Sequence, residues 1–105
     1  MEVIGYRLRQ VRVSEKVYQQ LKAFCKDRHL KMIEFYDQCL NWFLMNCHKP
    51  IFYHASCKNG HQLSLWLRET HIEQIKTLAK CANVSEARVV FTALMSYLEK
   101  RSLDL

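Results

Sequence analysis

The stretch 18-YQQLKAFCKDRHLKMIEFYDQCLNWFL-44 returns 54 residues later, without a gap, as 72-IEQIKTLAKCANVSEARVVFTALMSYL-98. Gln20/Gln74, Lys22/Lys76, Lys26/Lys80, Leu40/Leu94 and Leu44/Leu98 are identical. The apolar register says more than the identities. Leu21/Ile75, Phe24/Leu78, Leu30/Val84, Phe35/Val89, Tyr36/Val90 and Phe43/Tyr97 coincide, and Cys25 and Cys39 stand against Ala79 and Ala93. Chance identities would not also hold the hydrophobic phase throughout, so the chain is an internal repeat.

Upstream, 11-VRVSE-15 aligns with 65-LWLRE-69, and each copy then reads the same way. Val11-Arg12-Val13 and Leu63-Ser64-Leu65-Trp66-Leu67 are apolar at every second residue, which predicts a half-exposed strand. Helical patterns follow over about 15–28 and 69–82, carried by Val17, Leu21, Phe24 and Cys25, or by Ile72, Ile75, Leu78 and Ala79. Breaks at Arg28-His29-Leu30 and Ala82-Asn83-Val84 lead into second helices over about 31–46 and 85–100. There Trp42, Phe43, Phe35, Tyr36 and Met45 form stripes expected in the core. Ser85 has the chemistry of an N-cap, whereas Lys31, its counterpart, does not.

Residues 47–60 hold the only proline, Pro50, and one of the two glycines, and are read as a linker. The expected organisation is a single domain over 1–105, with repeats at 6–46 and 61–100. A strand-helix-turn-helix unit of this size cannot bury its apolar faces alone. The two strands should therefore pair antiparallel into one ribbon, with four helices interlocked beneath it. The predicted fold class is mainly α with a short antiparallel β-ribbon, in the order β-α-α-β-α-α, forming an intramolecular pseudo-dimer.

The 105 residues carry 16 Lys+Arg against 10 Asp+Glu, a net charge of +6, and are 50% hydrophobic. That apolar fraction excludes a disordered basic tail. No apolar run has the length of a membrane span, and MEVIGYRLRQ places charges where a signal peptide needs an apolar core. The basic excess leans to the first half, with 9 Lys+Arg and 5 Asp+Glu in 1–52 against 7 and 5 in 53–105. Five cysteines cannot all pair within one chain, so a reducing cytoplasm with free thiols is expected. Cys25, Cys39 and Cys81 lie in amphipathic stretches as small buried hydrophobes. Cys47, His48, His54, Cys57 and His61 crowd the linker, and 54-HASC-57 has a spacing seen in zinc sites. No paired Cys-x2-Cys exists there, and Ile51, Phe52 and Tyr53 would pack, so the reading is no metal and no cofactor. A Gly-rich phosphate loop, H-E-x-x-H and a nucleophile elbow are all missing, and no enzyme is expected.

In 11-VRVSEKVYQQLKAFCKDRHL-30 and 65-LWLRETHIEQIKTLAKCANVSEARVV-90 the chain resembles the ribbon-helix-helix family of bacterial and phage transcription factors, typified by MetJ, Arc and CopG. Both stretches share that family's run of alternating strand, acidic helix start, Leu/Ile-x-x-Leu-Ala helix and a turn into a second helix. Two units on one chain are similar to the tandem arrangement of the TraY family of conjugation accessory proteins. The resemblance implies a ribbon laid in the major groove of duplex DNA, inward side chains filling the core and outward ones meeting base edges.

On that resemblance Val11, Val13, Leu63, Leu65 and Leu67 face inward, and Gln10, Arg12, Gln62, Ser64 and Trp66 face the bases. Arg bonds guanine bidentately and Gln adenine; Trp66, where a small polar reader is common, would cover a thymine methyl or lean on a neighbouring chain. Phosphates would sit at the N-termini of the second helices, at Ser85 and Glu86 in one repeat and Lys31 in the other, aided by Arg7 and Arg9. Glu86 is mildly adverse to an anion. Arg9 has inward parity, so either the first strand starts at Gln10 or Arg9 bends out to a phosphate. Lys22, Lys26, Lys76 and Lys80 belong to solvated helix faces.

The implied role is a sequence-specific transcriptional repressor or plasmid conjugation (relaxosome) accessory factor in a bacterial, plasmid or phage context, with a relaxase or toxin-type protein as a further partner. Its DNA site should be asymmetric. The competing class is a protein-interaction module of this fold that has lost DNA binding. The chain would act as a monomer, or as a homodimer that exchanges repeats through the linker.

Overall fold

The computed structural model describes residues 4–46 and 60–103. The order of elements is β1 (Tyr6–Val13), α1 (Glu15–Asp27), α2 (Met32–Asn46), β2 (His61–Arg68), α3 (Glu69–Ala82) and α4 (Glu86–Leu103). The protein is thus mainly helical, with four helices and one two-stranded antiparallel sheet.

Both strands run longer than their alternating cores suggest, because pairing between them satisfies backbone groups out to Tyr6 and Arg68. Gln10 lies opposite Ser64, its own counterpart at the 54-residue offset. Period-two alternation then sorts the side chains. Val11, Val13, Leu63, Leu65 and Leu67 are buried, while Gln10, Arg12, Gln62 and Ser64 are exposed.

Below the ribbon the units cross over. α2 packs on β2 and α4 on β1, so each second helix covers the strand of the other repeat, and α2 and α4 pack on each other. The core comprises Leu21 and Ile75 from the first helices, with Phe35, Leu40, Val89 and Leu94 from the second helices, all fully buried. Phe24, Phe35, Trp42 and Tyr97 add edge-on and tilted ring contacts, with Phe35 and Tyr97 centroids 5.6 Å apart.

The turns repeat as closely as the helices. His29 and Asn83, 54 residues apart, both adopt left-handed backbone, at φ 51° and 55°. Beyond them Leu30 N–H donates to Cys25 carbonyl at 2.9 Å and Val84 N–H to Ala79 carbonyl at 3.0 Å, closing each first helix in the same way. At the other ends, Ser14 accepts from Val17 N–H and Ser85 from Arg88 N–H, both at 3.2 Å, capping α1 and α4.

Two core expectations fail. Cys81 is exposed, because the buried side of α3 passes through His71, Ile72, Ile75 and Ala79, and Cys81 lies about 200° around the helix from Ala79. Met45 is 64% exposed, because the buried side of α2 passes through Phe35, Tyr36, Cys39, Leu40 and Phe43, and Met45 lies about 200° around the helix from Phe43. Cys25 and Cys39 are buried as expected, and desolvation raises both thiol pKa values, Cys39 strongly. Of the linker group only His61 and Gly60 belong to the described residues; Cys47, His48, His54 and Cys57 lie outside them.

Candidate nucleic-acid interface

The outward face of the ribbon carries four cross-strand pairs: Tyr6–Arg68, Leu8–Trp66, Gln10–Ser64 and Arg12–Gln62. Gln62 Nε2 donates to Gln10 Oε1 across the diagonal, which leaves the Gln10 amide nitrogen and the Gln62 amide oxygen turned outward for other partners. Beneath this polar layer the sheet is dry, with Val13 and Leu65 fully buried. The side chains therefore stand on a rigid base, and the readers expected from parity all lie on one face. Trp66 joins them, half-buried.

The arginines of the ribbon divide by partner. Arg7 Nε lies 3.2 Å from Glu69 Oε1, and Arg68 makes a two-point bond to Asp37 at 2.7 and 3.0 Å. Arg9 keeps its inward parity, half-buried, with Nε 3.9 Å from Glu86 Oε1. Among the described residues Arg12 has no carboxylate partner. The side chain is exposed on the outward face.

The Arg9 result removes one of the alternatives drawn from parity. The strand begins at Tyr6, not Gln10, and Arg9 turns toward the first residue of α4. A signal for this lies in the repeat. The counterparts of Arg9 and Glu86 are Leu63 and Met32, so an apolar pair in one unit is exchanged for a charged pair in the other. The same logic joins Arg7–Glu69 with His61–Glu15, which are counterparts at both positions. The Glu15 carboxyl is held below its usual pKa by the Gln19 amide and then by His61.

The N-termini of α2 and α4 begin at counterpart positions, Met32 and Glu86. Lys31 is exposed and its carbonyl accepts from Phe35 N–H, so it occupies the cap position of α2 without a side-chain acceptor. Ser85, exposed, occupies the same place in α4 and spends its hydroxyl on Arg88 N–H. Lys22, Lys26, Lys76 and Lys80 are exposed on the outer faces of α1 and α3.

One polar cluster escapes the sequence reading. His71 is buried on α3, with Nδ1 3.7 Å from Asp37 Oδ1 and no hydrogen-bond partner for that nitrogen. Burial lowers the His71 pKa despite the attraction of Asp37, and the Arg68 bond lowers that of Asp37. The counterparts of His71, Arg68 and Asp37 are Val17, Ser14 and Phe91, so a histidine aligned with a core valine was the available signal.

No helix among the described residues is long and apolar enough to cross a membrane. Comparisons with protein-family models, curated proteins and solved structures find no match to this chain.

Proposed function

We propose that the chain is a tandem ribbon-helix-helix protein, two units closed into an intramolecular pseudo-dimer, that binds duplex DNA sequence-specifically. The β1/β2 ribbon would enter the major groove and present Gln10, Arg12, Gln62 and Ser64 to base edges. The observation that carries this reading is the outward face itself. Gln10, Arg12, Gln62 and Ser64 stand exposed on it above the buried side of a two-stranded sheet, and among the described residues Arg12 has no carboxylate partner. Two further features support it. Counterpart residues meet at Gln10–Ser64, as an approximate two-fold axis requires, and the net charge of +6 favours a polyanion.

Phosphates are assigned to the first turns of α2 and α4, at Lys31, Ser85 and Glu86, and to Arg7 and Arg9 at the edge of the ribbon. Anion binding by Arg7 and Arg9 would compete with Glu69 and Glu86, so these contacts should be weaker than that of Arg12. The biological role is that of a repressor or a conjugation accessory factor acting with a relaxase or toxin-type partner.

The second reading, a protein-interaction module, draws on Leu8, 42% exposed beside Trp66. One titration separates the two. Binding to mixed-sequence duplex should weaken steeply with salt, and Arg12→Ala should reduce both affinity and salt slope. Failure to bind duplex at low salt, or an Arg12→Ala variant with unchanged affinity and slope, would overturn the DNA reading.

A further inference from the structure

The outward face changes character along its length. Arg12 and Gln62 face each other at one end, Gln10 and Ser64 at the centre, and Leu8 and Trp66 toward the other end, beside the terminal Tyr6–Arg68 pair. The 54-residue offset carries Arg12 onto Trp66 and Leu8 onto Gln62, so the apolar end stands where a two-fold axis would repeat the polar one. Leu8 is one of the few large hydrophobic side chains exposed among the described residues. With Trp66, Ile4, Tyr6 and the Arg7–Glu69 ion pair it borders an open groove of about 460 Å³ at the end of the ribbon. Among the described residues the core lies on the opposite side of the sheet from Leu8 and Trp66.

We infer, resting on the DNA reading above, that Leu8 and Trp66 take the 5-methyl groups of thymine while Arg12 and Gln62 take purine edges. The site would then be polarised, with thymine on one side of its centre and guanine on the other.

The reason to choose DNA over an apolar protein surface is continuity. Leu8 and Arg12 are four residues apart on one strand, roughly 13 Å, or the rise of about four base pairs. A hydrophobic partner seated on Leu8 and Trp66 would press on the polar Gln10–Ser64 pair on one side and on Arg68 on the other. The major groove offers methyl groups and hydrogen-bond acceptors on the same surface within that span. It satisfies both ends of the face together.

The test begins with the natural chain and a duplex selected for tight binding, footprinted to locate its centre. Each thymine is replaced in turn by deoxyuridine, which removes the methyl and keeps the pairing. Each guanine is replaced by 7-deazaguanine, which removes the N7 acceptor. Deoxyuridine should weaken binding about fourfold per methyl lost, on one side of the centre only, and Leu8→Ala should abolish that difference. Deazaguanine should weaken it about tenfold on the opposite side, and Arg12→Ala should abolish that difference.

Deoxyuridine losses that are absent, symmetric about the centre, or undiminished in Leu8→Ala would overturn the polarity while leaving DNA binding intact. A selected site without thymine at that end would do the same. If no duplex is selected at all, the DNA reading falls with it. Self-association of the natural chain that Leu8→Ala abolishes, measured by sedimentation without DNA, would assign the apolar end to a second copy instead.

Discussion

Cys39 Sγ donates to the carbonyl oxygen of Ala93 at 3.3 Å, and Ala93 is the residue that stands in the Cys39 position 54 residues later. The two second helices therefore meet at counterpart positions, as the two strands do at Gln10 and Ser64. Both residues are small and fully buried, which lets the backbones of α2 and α4 approach closely.

That crossing has no room for a larger side chain. Ala93→Leu should destabilise the protein by about 1–3 kcal/mol through overpacking, whereas Cys39→Ala should cost about 1 kcal/mol from the lost contact and bond. Urea unfolding midpoints check both. An Ala93→Leu variant as stable as the natural chain would mean that the helices separate freely at this point.

The buried His71 makes stability depend on pH in a stated direction. Its folded pKa is depressed, so between that value and the unfolded value of about 6.5 the unfolded chain holds the extra proton. Stability should fall as pH drops from 7.5 to 5.5. His71→Val, which installs the residue found at counterpart Val17, should flatten this dependence and add about 1 kcal/mol at the lower pH. An unchanged slope in urea midpoints would exonerate His71.

Asp37 acts in a lower window. Its folded pKa is depressed by Arg68, so its contribution is complete above the unfolded value of about 3.9 and is lost as pH falls below it. Arg68→Ala should bring acid unfolding to higher pH, followed by circular dichroism, with only a small loss at neutral pH.

The two left-handed turn residues differ in suitability. Asn tolerates this conformation better than His, and Gly better than either. His29→Gly should raise stability by about 0.5–1 kcal/mol, and Asn83→Gly by less, in thermal melts. A His29→Gly variant that melts lower would show that the ring contributes more than its backbone costs.

At the start of α2, Lys31→Ser would supply the missing cap. It should stabilise the protein by about 0.5–1 kcal/mol in urea melts. On the proposed function it should also weaken DNA binding and lower the salt slope by roughly one unit, because a phosphate cation is lost. Tighter binding by this variant would remove Lys31 from the phosphate contacts.

The alternation in 63-LSLWL-67 and the phase shared by two stretches 54 residues apart determine much of the protein from sequence alone. They establish the strands and helices, the breaks at His29 and Asn83, and the face on which Gln10, Arg12, Gln62 and Ser64 stand. Each of these depends on residues within a few turns of one another, so local periodicity carries them. Tertiary structure decided what depends on which element lies opposite which. It set Gln10 against Ser64, brought Arg9 beside Glu86, joined Arg68 on β2 to Asp37 on α2, and buried His71 but not Cys81. Helical spacing alone does not say how wide a stripe the neighbouring helices cover, nor does strand parity say which carboxylate waits across the sheet. Those answers come only when α2 and α4 cross beneath the ribbon, leaving Arg12, among the described residues, without a carboxylate partner on its outer face.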